Sequence, residues 1–175
     1  VVMEYNGELP DSYEELLKLP GIGSYTAGAI ASIAYNKQVP AVDGNVLRIV
    51  KRLSASFDDI TKAKVVKEVE QDMKKITPVR AGDFNQALMD LGATVCIPNG
   101  RPLCDKCPLE EECEGRKQDV MMLLPVKPSK KPRKIEEKTV LVMEYQGKYA
   151  INRRPRKGLL AGLWEIPNIE GRLAI

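Results

Sequence analysis

Leu19 to Ile30 reads LPGIGSYTAGAI and joins two stretches of helical pattern. Pro20 and Gly21 stop the first helix, and Ser24 opens a second, SYTAGAIASIA, whose small residues allow close packing and whose Ile30 and Ile33 are expected to face a core. Gly21 and Gly23 permit a tight turn and leave the backbone bare, so amides along Gly21, Ile22, Gly23 and Ser24 can point outward. A helix N-terminus offers unsatisfied donors and about half a positive charge, which suits a nucleic-acid phosphate without reading base sequence. Two glycines between helices also make a plain helical turn, so context must decide.

Upstream, Asp11 and Glu14 form a capping-box-like start for a helix over about 11–19. The first residues, VVMEYNGELP, read as the end of a helix, and with no initiator Met the chain is expected to be part of a longer protein. Downstream, helices are expected over about 44–54, 61–76 and 82–95. Val65, Val69, Met73 and Ile76 recur at helical spacing in the middle one, as do Phe84, Leu88 and Leu91 in the last. These stripes are read as core and assigned no chemistry. Residues 1–117 are therefore all-α. From 118 to 136 the chain reads as a linker, since three prolines and six cations between Pro125 and Lys138 oppose helix and sheet alike. TVLVMEYQGKYAINRR then reads as a strand, a turn at Gln146 and Gly147, and a second strand, so a β-containing domain is expected over 137–175.

Cys96, Cys104, Cys107 and Cys113 follow a C-x7-C-x2-C-x5-C spacing in a Pro/Asn/Gly-rich segment. Four thiols this close, in a chain with no secretion signal, point to a metal rather than to disulfides. A compact loop suits a cubane iron–sulfur cluster, whereas structural zinc usually pairs two C-x2-C knuckles across a longer gap; both remain open on spacing. Asp43 precedes the helical stretch VLRIVKRL at an N-cap position, where Asp is favoured for capping alone. Lys51 and Arg52, near that helix's end, read as solvated residues that complement its dipole.

Composition closes several chemistries. The 175 residues contain no His, which removes Ser-His-Asp and Cys-His catalysis and His-ligated zinc within this chain. There are 27 Lys and Arg against 24 Asp and Glu, and a formal net charge of +3 is too small to diagnose a nucleic-acid binder. No apolar run approaches the roughly 20 residues needed to span a bilayer, so no membrane partner is expected.

Taken in order, LPGIGSYTAGAI, VDGNVLRIVKRL, DFNQALMDLGATVC and the four-cysteine loop resemble the helix-hairpin-helix DNA glycosylases related to endonuclease III, across nearly all of residues 1–117. The resemblance implies a mainly α, helix-hairpin-helix glycosylase fold with an iron–sulfur loop. Tyr25 stands where the bifunctional members carry lysine, and a phenol cannot form their imine, so a monofunctional enzyme is implied. VDGN, the linker and RRPRKGLLAGLWEIPN together resemble the adenine DNA glycosylase (MutY) family, which removes adenine mispaired with 8-oxoguanine or guanine. The last segment resembles the opening of that family's Nudix-like α/β domain, which recognises the oxidised base.

Under this resemblance Asp43 stabilises an oxocarbenium-like sugar, Asn45 positions water or the ribose–phosphate, and Tyr25 lines the pocket. Gly21, Ile22, Gly23 and Ser24 grip DNA, and Arg101 is held against it by a loop braced on a [4Fe–4S] cluster, with zinc as the alternative metal. The implied partner is double-stranded DNA with an adenine mispair; the intact protein is expected to be monomeric and cytoplasmic, associated with the nucleoid. Seven residues separate the first two cysteines where the family usually has six. The family's general-acid glutamate and intercalating residues precede the hairpin, before Val1, so the chain alone is expected to be inactive and marginally stable. A thymine or uracil mismatch glycosylase, or a non-catalytic DNA-binding iron–sulfur module, are the alternatives.

Overall fold

The computed structural model describes residues 1–128 and 132–173; positions 129–131 of the expected linker and 174–175 lie outside the described residues. The chain divides into two compact units, Val1–Ser129 and Lys130–Ile175.

The first unit is helical: α1 Val2–Tyr5, α2 Tyr13–Leu16, α3 Ser24–Ile33, α4 Gly44–Leu53, α5 Ala63–Ile76, α6 Ala81–Thr94 and, after a 3-10 turn at Cys104–Lys106, α7 Glu114–Lys117. The cap of α2 is not Asp11. Ser12 takes that role, its Oγ accepting from the Glu15 amide at 3.3 Å, while Asp11 instead pairs with Lys37 at 2.6 Å. The helix is shorter than expected because the chain turns after Leu16 toward Pro20, burying Leu16 and Leu19 against Ala27 and Ala31 of α3. Small residues let the backbones close up here: a methyl on Gly28 would stand 2.2 Å from the Pro40 carbonyl oxygen.

A second core joins Val42, Val46 and Leu47 to Ile60, Val69 and Met73, with Phe84 and Leu88 packed beside it. Two expected core positions are exposed. Ile33 and Ile76 are the last residues of α3 and α5, beyond the reach of the partners that cover the earlier turns. Buried Asn85 of α6 ties α3 to the loop before α4, donating to Ser32 Oγ (2.8 Å) and the Val39 carbonyl (3.0 Å) and accepting from the Ala41 amide (3.1 Å). The first part of the stretch read as a linker is docked on this unit. Met121 and Leu124 are buried, and the Val126 carbonyl accepts from the Ile60 amide at 3.2 Å.

The second unit contains three antiparallel pairs: β1 Lys138–Val140 with β6 Asn168–Glu170, β2 Glu144–Tyr145 with β3 Lys148–Tyr149, and β4 Asn152–Arg153 with β5 Trp164–Glu165. The turn falls at Gln146 and Gly147, both with positive φ (50° and 72°), as a two-residue hairpin of this hand requires. The two long strands expected on either side are interrupted because β1 and β4 take partners beyond the hairpin.

Candidate active site and cysteine centre

At the hairpin the two glycines differ. Gly21 adopts φ +84°, which favours glycine, whereas Gly23 is the extended N-cap of α3 (φ −94°, ψ 179°), a conformation open to any residue. A Cβ on either would meet only open space. The amides of Gly21, Gly23, Ser24 and Tyr25 have no acceptor among the described residues, and α3 has no side-chain cap. Ile22 departs from the expected donor set: its amide bonds the Leu19 carbonyl at 3.1 Å and its side chain packs on the core, so it anchors the bend.

Asp43 caps α4. Its Oδ1 accepts from the Asn45 and Val46 amides, both at 2.8 Å, and its Oδ2 accepts from the Asn45 side-chain amide at 2.7 Å. A carboxylate offers about four acceptor positions, so roughly one remains, on Oδ2. Asn45 is itself held, its Oδ1 accepting from Arg48 Nη2 at 3.0 Å. Arg48, 5% exposed, also donates Nη2 to the Gly92 carbonyl and Nε to the Cys96 carbonyl, each at 2.8 Å. Burial draws the Arg48 guanidinium below its ordinary pKa, while the neighbouring Cys96 and Asp43 pull it back up. Tyr25 extends from α3 toward α6, its hydroxyl 4.0 Å from Met89 Sδ, and makes no hydrogen bond to Asp43. Arg101 is exposed and has no ion-pair partner among the described residues.

All four cysteines line one cavity of about 30 Å³, together with Arg52, Val95, Pro102, Glu110, Arg116 and Met121. None of them is joined in a disulfide. Burial pushes the Cys104 and Cys107 thiols above their ordinary pKa; the Arg116 charge partly offsets this at Cys104. Among the described residues no three metal-ligating side chains converge closely enough to hold one ion. Lys51 and Arg52 are not solvated, contrary to expectation. Lys51 bonds Asp58 at 2.8 Å, and Arg52 bonds the Leu124 and Ile97 carbonyls, each at 3.0 Å, and Cys96 Sγ at 3.3 Å. Arg48 was missed as a site residue. The available signal was spacing: Asp43, Asn45, Arg48 and Arg52 sit at intervals that bring the last three near one face of α4.

A model of the helix-hairpin-helix motif matches residues 4–33, spanning the bend. The chain resembles the structure of a thermostable thymine-DNA glycosylase (TM-score 0.60, 29% identity, 67% of this chain and 54% of that one). It also resembles a non-covalent endonuclease III–DNA complex (TM-score 0.56, 34% identity, 68% and 54%). The chain thus has the endonuclease III-like helix-hairpin-helix glycosylase fold.

Within that class the chain has homologues among the adenine DNA glycosylases. It is 36% identical to the Homo sapiens protein over 97% of its own length and 39% of that protein's. Against the Arabidopsis thaliana protein identity is 39% over 91% and 28%, and against that of Buchnera aphidicola subsp. Schizaphis graminum it is 33% over 97% and 49%. The chain therefore spans less than half the length of these curated relatives.

Proposed function

We propose that the whole protein is a monofunctional adenine DNA glycosylase of base-excision repair, hydrolysing the N-glycosidic bond of adenine opposite 8-oxoguanine or guanine. The observation that carries this is Asp43: both carboxylate oxygens are fixed by N–H donors, with one acceptor position left over. As the bond to adenine breaks, positive charge develops on the sugar, and a pre-oriented carboxylate stabilises it without reorganising. Asn45 keeps that carboxylate turned and offers its own amide to water or the ribose–phosphate. Tyr25, a phenol where an amine would form an imine, lines the pocket and leaves the sugar to water. The proton for the departing adenine is assigned to a glutamate of the whole protein preceding residue 1.

Flipping adenine out of the stack costs a few kcal/mol, offset by contacts to the backbone. Outward amides at Gly21, Gly23 and Ser24, together with Arg101, are assigned that contact, and Ile22 seats the bend. The four thiols are assigned a [4Fe–4S] cluster rather than zinc. Tetrahedral zinc with Zn–S near 2.3 Å needs sulfurs roughly 3.8 Å apart. Four thiols that share one cavity in a compact loop suit the larger group. When bound, such a cluster supplies a rigid anchor for the Arg101 loop. Residues 137–175 are assigned to a Nudix-like domain that reads the oxidised base, and the protein to the cytoplasm, as a monomer.

The test is base release by the whole protein from duplexes carrying A opposite 8-oxoguanine, A opposite G, or T opposite G. Adenine release, abolished by Asp43→Asn, is expected. Thymine release instead would support the mismatch-specific alternative, for which the likeness to thymine-DNA glycosylase speaks. Unchanged adenine release by Asp43→Asn would overturn the assignment of Asp43.

A further inference from the structure

Arg52 is 4% exposed and stands between two parts of the chain that are far apart in sequence. Its Nη1 donates to Cys96 Sγ (3.3 Å) and the Ile97 carbonyl (3.0 Å); its Nε donates to the Leu124 carbonyl (3.0 Å). Its own carbonyl lies 3.5 Å from Cys113 Sγ and so close to α7 that a methyl on Gly115 would come within 2.4 Å of it. Arg52 also walls two cavities. One is the thiol-lined cavity, and the other, of about 210 Å³, is lined by Met122, Leu124 and Pro125 of the docked exit segment.

We propose that Arg52 is a positioning residue that couples occupancy of the four-cysteine centre to the docking of residues 120–126. The coupling rests on the assignment of the thiols to a metal centre. A bound metal would fix the Cys96 sulfur, to which Arg52 Nη1 is bonded at 3.3 Å, in one position. With Nη1 fixed by that bond, the planar guanidinium presents Nε to Leu124 in one orientation. Loss of the metal frees the Cys96 side chain and slackens the guanidinium. The exit segment loses the hydrogen bond that spans from α4.

The experiment uses the full chain, purified anaerobically and analysed for iron, sulfide and zinc, as wild type, Arg52→Met and Arg52→Lys. Amide hydrogen exchange is followed at Ile60, bonded to the Val126 carbonyl, and at Leu123, with Ala27 of the hairpin as the internal control. In wild type, stripping the metal with a chelator is expected to speed exchange at Ile60 and Leu123 roughly 10- to 100-fold, the effect of losing one hydrogen bond to a charged group, while Ala27 is unchanged. Arg52→Met is expected to exchange fast there even when loaded and to release metal to the chelator faster by a similar factor; Arg52→Lys falls between. Should Arg52→Met fail to fold, Arg52→Lys decides alone, because an ammonium cannot serve both directions as a fork does.

Wild-type exchange and metal release in the variant overturn the coupling, as does loaded wild type whose exit segment ignores metal removal. A wild type without iron, sulfide or zinc overturns the metal assignment itself and the coupling with it, and shows before any variant is made.

Discussion

Gly92 of α6 faces the residue that holds the candidate catalytic carboxylate. A methyl at this position would stand 2.8 Å from Asn45 Cβ, inside the roughly 3.5–4.0 Å at which carbons pack, with Asn45 Cγ (3.4 Å) and Arg48 Nη2 (3.5 Å) at ordinary contact. Gly92→Ala should therefore have opposed effects. Alanine in place of glycine within a helix stabilises by about 1 kcal/mol, and overpacking costs about 1–3 kcal/mol, so net destabilisation should be about 0–2 kcal/mol and the fold should survive. The strain falls on Asn45, whose amide then leaves Asp43 Oδ2. Loss of one hydrogen bond to a charged group is worth about 1.5–3 kcal/mol, so adenine release by the whole protein should slow roughly 10- to 100-fold. Single-turnover release and a thermal melt on the same preparation separate the two effects. A variant as stable as wild type that releases adenine within about twofold of its rate would show that Asn45 is not held as described.

Arg48→Met should cost about 3–5 kcal/mol by denaturant melting, because it strands the Gly92 and Cys96 carbonyls and Asn45 in a buried network; a loss below about 1 kcal/mol would mean the network is idle. Gly21→Ala should destabilise by about 1–2 kcal/mol through its positive φ. Gly23→Ala should leave stability within about 0.5 kcal/mol yet weaken DNA binding across salt concentrations; equal melts for the two variants would reject the distinction.

Asp58 is held below the usual carboxylate range, chiefly by the hydrogen bond from Lys51 and then by that from Ser56. A carboxyl lowered on folding adds stability that is complete above its unfolded pKa, near 3.9, and is lost as pH falls through the folded one. The melting difference between wild type and Asp58→Asn should accordingly be present at pH 7 and vanish in acid, and a constant difference would contradict this origin.

The hairpin was legible in the sequence because its signals are local: Pro20 and Gly21 stop one helix, and the structure begins the next at Ser24. Asp43 was legible for the same reason, since an N-cap acts on amides two and three residues ahead. The buried cations were not. Arg48 and Arg52 find their acceptors, apart from Asn45 beside Arg48, at Gly92, Cys96, Ile97 and Leu124, more than forty residues downstream, and a charged side chain on a helix is ordinarily solvated. The cap of α2 was misplaced by one residue because Asp11 and Ser12 are both good caps, and the choice depended on Lys37, which draws Asp11 away. The docked exit segment was hidden by composition. Its prolines and lysines signal a linker, while Met121 and Leu124 carry the burial.

Ten residues of α-helix make a stiff rod of about 15 Å. In α4 that rod is pinned at its leading end by the carboxylate cap and at its trailing end by a guanidinium fork seated among thiols, so it cannot slide along its axis without breaking one set of bonds. The spacing between the two centres is thereby dictated by helical pitch rather than by supple side chains. A reactive group can in this way be kept in register by a loop encoded half a domain away.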